Sequence, residues 1–271
     1  MTKIVDCITY FDEDMLLDFR LNVLNDYVSK FVIVEAKEDH QGKKKPLNFD
    51  LKNFSKFKDK IIYLVQEKLI EDPNTKLPKN WSKNHLKDQS QRNYIFNGLK
   101  NFEDNDWIII SDLDEIPNPD VIKDFNPKFK YSVFEQKFFY YKFNLTFLNQ
   151  NWYGSRICVK KFLKSPQWLR NQKIKKKFMG MFDRGIKIIK NGGWHFSYLK
   201  SPAQIRKKIE SFAHSEYNKD EYKNLKNIEN CIKNRTDLYD RNSNLEKISI
   251  TNELPTYLLE NQEKYSNWIV K

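Results

Sequence analysis
Seven of the 271 residues are glycine and three are cysteine, and no stretch rich in Gly or Ser divides the chain. Without such a linker or an internal repeat, the length fits one domain with one substantial core. Cys7, Cys158 and Cys231 are far apart, odd in number and outside any C-x-x-C pattern. That excludes a disulfide framework and a zinc knuckle, and reduced thiols fit a cytoplasmic setting. The apolar runs are a few residues long, against the roughly 20 needed to cross a bilayer. The first residues, Met1-Thr2-Lys3-Ile4-Val5-Asp6-Cys7, hold no apolar signal region. These absences lead to the expectation of a cytoplasmic protein with no more than peripheral membrane contact. RNP, zinc-finger and helix-turn-helix patterns are missing too, so no nucleic-acid partner is expected.

What the chain has in plenty is positive charge and aromatic rings. The 48 Lys and Arg against 36 Asp and Glu give a net charge of +12. Such a balance suits phosphate-rich partners, among them a nucleotide diphosphate. The excess is spread along the chain, and the runs Lys43-Lys44-Lys45 and Lys175-Lys176-Lys177 are short, so most of it reads as solvated surface. Twenty Phe and 14 Tyr exceed what a core needs and favour stacking surfaces for sugars or bases.

Periodicity predicts strands at 3–10, 31–35, 61–65 and 108–111, with helices over 14–28 and 89–99 between them. Strands alternating with helices over the first 125 residues indicate an α/β fold with a largely parallel sheet. A short helix over 120–125 follows the Pro117-Asn118-Pro119 turn. Beyond it come an extended aromatic segment at 131–148, strands at 186–189 and 194–198, and a basic helix over 202–217. From Asn227 onward the tail is polar and poorly patterned.

Two motifs carry chemistry. The β-branched run Ile108-Ile109-Ile110 ends in Ser111-Asp112-Leu113-Asp114-Glu115. A buried strand delivering carboxylates at its C-terminal end is a common way for an α/β sheet to build a metal or ligand site. Carboxylate oxygens suit hard cations such as Mg²⁺ and Mn²⁺. The second motif is Gly192-Gly193-Trp194-His195-Phe196-Ser197. Its glycines permit close backbone approach or positive φ, and His195 is placed for metal ligation or hydrogen bonding.

Six segments occur in a fixed order: Val5 to Phe11, Phe31 to Ala36, Gln91-Arg92-Asn93, Ile110 to Pro117, Gly192 to Ser197, and Lys208 to Glu216. Together they resemble glycosyltransferase family 17, which includes β-1,4-mannosyl-glycoprotein 4-β-N-acetylglucosaminyltransferase. The resemblance runs from about residue 4 to the Leu254-Pro255-Thr256-Tyr257-Leu258 segment. It implies a GT-A fold with a nucleotide-binding half at 1–125, an acceptor and metal-completing half at 126–245, and a C-terminal extension at 246–271. It also implies a metal-dependent inverting transfer, with GlcNAc from UDP-GlcNAc as the expected donor and a glycan hydroxyl as acceptor. The implied cofactor is Mn²⁺ or Mg²⁺, held by Asp112, Asp114 and His195. Arg92 is a candidate contact to the diphosphate or to the motif acids, because a guanidinium binds such oxygens bidentately. Asp6 and Glu35, near the ends of early strands, are candidate contacts to the nucleoside. Inversion needs a base for the acceptor proton; Asp183 is preferred, with Glu216, Glu210 and Glu135 as other candidates. The animal relatives are membrane-anchored, so an acceptor identical to theirs is not implied.

Two rival readings use the same features. A strand ending in D-x-D is also a signature of haloacid-dehalogenase-like phosphatases. That chemistry wants Thr or Val two residues past the second Asp, where this chain has Ile116, followed by Pro117. A basic nucleic-acid-binding protein would explain the charge and the aromatics alone.

Overall fold
A computed structural model of the chain describes residues 2–73, 75, 77, 82–174, 186–239, 244–251 and 253–271. In chain order its first half runs β1 (Ile4–Tyr10), α1 (Asp14–Leu24), β2 (Lys30–Ala36), β3 (Ile61–Gln66), α2 (Asn84–Tyr94), β4 (Trp107–Asp112), β5 (Glu115–Pro117) and α3 (Pro119–Ile122). The second half adds β6 (Tyr131–Tyr140), β7 (Leu145–Trp152), β8 (Arg156–Val159), α4 (Pro166–Arg170), β9 (Lys187–Ser197), α5 (Pro202–Ser211), α6 (Asp220–Lys223), α7 (Leu225–Asn234), β10 (Glu246–Lys247) and α8 (Thr256–Glu260).

The described strands form one sheet in the order β10-β7-β6-β8-β4-β1-β2-β3, with β9 joining β6 to β5. Its long pairings, β1 with β2 and β4, β2 with β3, and β6 with β9, are parallel, and the antiparallel pairs are shorter. The α/β expectation with a mostly parallel central sheet holds. Both faces of the central strands are covered, which is why they read as continuous β-branched runs. Ile8, Phe31, Ile33 and Ile109 face a core shared with Leu17, Phe19, Leu21 and Leu24 of α1. Val5, Cys7, Val32, Val34, Ile108 and Ile110 face Ile95 and Leu99, in the 3₁₀ turn that follows α2, on the other side.

Several boundaries differ from the pattern-based expectation. The helix expected over 89–99 is α2 followed by a 3₁₀ turn at Ile95–Leu99, and the one expected over 202–217 ends at Ser211. The aromatic segment is a hairpin, turned after β6 where Tyr141 takes φ +64°. The strands expected at 186–189 and 194–198 are one strand, β9, continuous through the glycine pair. The polar tail folds as well. α7 buries Ile228 and Cys231 at i,i+3 spacing against the aromatic face of β6, and Leu254, Leu258 and Tyr265 enter the main core beside Phe19. Among the described residues no helix is long and apolar enough to cross a membrane.

Candidate active site
β4 ends at Asp112, whose register partner is Thr9 of β1, so the motif acids sit at the C-terminal ends of two central parallel strands. Crevices there are where open α/β sheets hold ligands. Here the crevice is a cavity of about 320 Å³, with Thr9, Asp112, Asp114, His195, Lys200 and Lys208 on its wall.

The turn carrying the two acids is held from beneath. Arg20 of α1 grips Asp6 of β1 through two bonds of 2.6 and 2.8 Å, and both side chains are fully buried. Arg20 Nη1 donates to the carbonyls of Asp112, Leu113 and Glu115. Glu115 is fully buried and not on the cavity wall. It accepts from Arg170 at 2.6 and 2.9 Å, from Trp152 Nε1 at 2.7 Å and from the Asp112 amide at 3.0 Å.

Two guanidiniums fix Asp112. Arg92 of α2 donates to Oδ1 and Arg170 of α4 to Oδ2, each at 2.9 Å. Asp88, one helical turn before Arg92, accepts two further bonds of 2.9 Å from it and keeps the guanidinium aimed. Burial works to raise the Asp112 pKa, but Arg170 and Arg92 outweigh it and hold the carboxyl well below the usual carboxylate range.

Asp114 faces a different set. Lys208 of α5 donates to Oδ2 at 3.2 Å, and His195 Nε2 lies 3.6 Å from Oδ1. Burial again works to raise the carboxyl pKa, and Lys208, then His195, override it and hold it far below normal. Lys208 responds in kind: burial opposes its charge, but Asp114 and Glu13 push its pKa above the ordinary lysine value. His195 pairs with Glu115 across β5 and β9 and lies between two rings. Phe138 stacks on it at 4.9 Å and 7°, and Trp152 at 4.4 Å and 30°. The stack fixes the imidazole with Nε2 toward Asp114, while the buried Nδ1 has no hydrogen-bond partner among the described residues. Gly193 takes φ +131°, and a Cβ there would lie 2.1 Å from the Ile116 carbonyl oxygen, so glycine is what lets β9 run against β5. Lys200, also on the cavity wall, reaches Asp12 at 2.6 Å and Glu13 at 3.4 Å.

A divalent cation fits Asp114 and His195, an ionised carboxylate oxygen and a ring nitrogen 3.6 Å apart on the cavity wall. Asp112 fits less well, because each of its oxygens is already on an arginine. Among the described residues it forms no close three-ligand group with Asp114 and His195.

The family model of glycosyltransferase family 17 matches residues 1–269. The chain belongs to glycosyltransferase family 17. None of the curated proteins compared matches it. This family 17 chain is therefore a glycosyltransferase, as the ordered motifs indicated, and the phosphatase and nucleic-acid readings fall. Geometry argues against the phosphatase as well: a nucleophilic Asp112 needs an oxygen open to substrate, and both are bonded to arginine.

Around this cavity the residues expected from the sequence divide into three groups. Asp112, Asp114, His195 and Arg92 come together on one wall, with Arg92 on a motif acid. Asp6 and Glu35 do not join them. Asp6 is spent on Arg20. Glu35 is fully buried, bonded to Lys45, to Tyr63 at 2.8 Å and to the amides of Asn48 and Phe49, and holds the loop after β2. Neither lines the cavity, because strands covered on both faces turn such side chains into the layers beneath. Glu216 bonds to His214 at 2.7 Å, off the cavity wall, and Asp183 lies outside the described residues. Glu135 is taken by Tyr153 and Lys190, and Glu210 is exposed on α5. Of the aromatic residues, Phe138 and Trp152 stack on His195. Glu115, Arg170 and Lys208 were not singled out for the site. Lys208 opens the sixth ordered segment, whereas nothing in the local pattern around Arg170 marks it.

Proposed function
We propose that the cavity binds a UDP-sugar, UDP-GlcNAc by family membership, with Mn²⁺ or Mg²⁺ on Asp114 and His195. The sugar then passes to a glycan hydroxyl with inversion, giving a β linkage. The observation that carries this reading is the Asp114 and His195 pair, 3.6 Å apart on the wall of a cavity at the strand ends, with the carboxyl held ionised. A cation bound there acts as a Lewis acid on the diphosphate leaving group. The chain's own residues supply the rest. Lys200 and Lys208 offer ammonium charge to the diphosphate. Arg92 and Arg170 keep Asp112 rigid, so that Asp114 two residues on is presented at fixed depth.

In the transfer the acceptor oxygen bonds to the anomeric carbon, and the bond from that carbon to the diphosphate oxygen breaks. The acceptor proton goes to a base. The base in this reading is Asp183, chosen from the sequence because it lies shortly before His195 with Gly185 close by.

Thermal stabilisation by a panel of sugar nucleotides, with and without Mn²⁺, tests the donor site. UDP-GlcNAc with Mn²⁺ should raise the melting temperature, Asp114→Ala and His195→Ala should abolish the rise, and Asp183→Asn should keep it while losing transfer. A folded protein that no UDP-sugar stabilises in the presence of Mn²⁺ refutes the reading.

A further inference from the structure
Among the described residues one group of three metal-ligating side chains has its ligand atoms within 4.8 Å of one another, and it is not the D-x-D site: His85, His214 and Glu216. We propose that these three bind a transition-metal cation, Zn²⁺ in preference to Mg²⁺, which clasps the start of α2 to the segment after α5. The inference does not rest on the donor-site reading, since it shares no ligand with Asp114 and His195.

The donor set decides the class of metal. Two imidazoles and one carboxylate match the ligands of three-ligand zinc sites that keep a fourth position for water, whereas Mg²⁺ prefers oxygen alone. His85, in the first turn of α2, is the fixed ligand, buried with 2% of its surface exposed. Its Nδ1 lies 3.2 Å from the Ser82 carbonyl oxygen. A proton on Nδ1, donated to that carbonyl, places the ring lone pair on Nε2 and fixes the ring's direction. Ligating histidines commonly have such a carbonyl behind them. The His214 ring stands perpendicular to that of His85, centroids 4.7 Å apart, and its Nδ1 lies 2.7 Å from Glu216 Oε1. The side chains of His214 and Glu216 are 47% and 45% exposed, which gives a metal a route in and the two side chains room to adjust. Zinc bonds of about 2.0–2.1 Å in tetrahedral geometry put ligand atoms roughly 3.3–3.5 Å apart, so a shift of about an ångström in the exposed pair closes the site.

The backbone around the cluster is tied by bonds that span the sequence. Ser82 Oγ donates to the Ala213 carbonyl at 3.1 Å, Gln41 Nε2 to the Phe212 carbonyl at 2.7 Å, and Asn84 Nδ2 to Gln41 Oε1 at 2.9 Å. The approach of His85 to His214 is therefore built into the fold. Phe212, Ala213 and His214 also line the donor cavity, so a cation here stiffens one of its walls.

The test uses the full chain, stripped with a chelator, and an Asp114→Ala/His195→Ala variant that lacks the other proposed site. Zn²⁺ is titrated calorimetrically, and Co²⁺ is followed by its visible absorption, which is intense only in tetrahedral geometry. One equivalent should bind to the double variant with a tetrahedral cobalt spectrum. His214→Ala, at an exposed position that leaves folding intact, should weaken it by roughly 100-fold, at or above the 10–100-fold loss typical of second-shell changes. Failure of the double variant to bind either ion, or equal binding with and without His214, overturns the proposal and leaves His214 and Glu216 as a plain surface ion pair.

Discussion

Asp6 and Arg20 meet with both side chains at 0% exposure, a charged pair wholly withdrawn from water. Such a pair repays its desolvation only when the remaining polar atoms are satisfied, and Arg20 uses its third nitrogen on three carbonyls of the motif turn. Removing one partner leaves a buried charge unpaired, so Asp6→Ala should cost about 3–5 kcal/mol. Urea denaturation measures that loss, and donor affinity of the folded fraction should stay within about twofold of the parent, below ~0.4 kcal/mol. An intact stability with a collapsed donor affinity would return Asp6 to the nucleoside. At this scale the sequence displayed residue types and hid partners. Asp112 and Asp114 were readable because a strand pattern ends on them. Their cations lie 20, 58 and 94 residues away, at Arg92, Arg170 and Lys208, and no local periodicity links positions so far apart.

β9 is the element on which the site's geometry turns. It pairs in parallel with β6 and antiparallel with β5, and that double pairing sets His195 opposite both Phe138 and Glu115. The register shifts between Phe134 and Gln136, beside Gly192 and Gly193, where a Cβ on either glycine would strike backbone within 3 Å. Gly193→Ala should therefore lose at least about 2 kcal/mol from strained φ and displaced backbone. It should also lose metal-dependent stabilisation by the donor, although no ligand is altered. A thermal scan with and without donor reads both, and a variant that binds donor normally would show that β9 does not set the site. The sequence showed β9 as two strands because Asn191-Gly192-Gly193 interrupts the apolar pattern, whereas α7 carries its apolar residues Ile228, Cys231 and Ile232 at helical spacing within an otherwise polar segment, which hides it. The central strands were legible for the opposite reason: two covered faces demand unbroken β-branched runs.

Across the whole molecule, ionised carboxylates face cations around the cavity and its rim. Asp12, Asp112, Asp114 and Glu216 all have pKa values lowered against the pull of burial by Lys200, Arg170, Lys208 and His214 respectively. A lowered folded pKa contributes stability that is complete above the unfolded value, about 4, and is lost as pH falls through the folded one. Lys208 runs the other way: its raised pKa contributes below about 10.4 and is lost as pH rises through the folded value. The urea midpoint should stay level from about pH 7.5 to 9, fall somewhat as pH drops through the ordinary histidine value because burial lowers the His85 pKa, and decline steadily below about 4. A midpoint unchanged down to about pH 2.5 would mean that these pairs contribute nothing. The net charge of +12 announced none of this, because the pairs are arranged by sheet order. β8, from the second half of the chain, is inserted between β6 and β4, and a strand's neighbours cannot be read from its own residues.

The stacking of Trp152 on His195 has an optical consequence. An indole emits differently when the imidazole against it gains positive charge, and here the ring centroids are 4.4 Å apart. Whatever engages His195 changes the environment of that one fluorophore. The protein thus carries an unlabelled emission probe one ring's thickness from the nitrogen that faces Asp114.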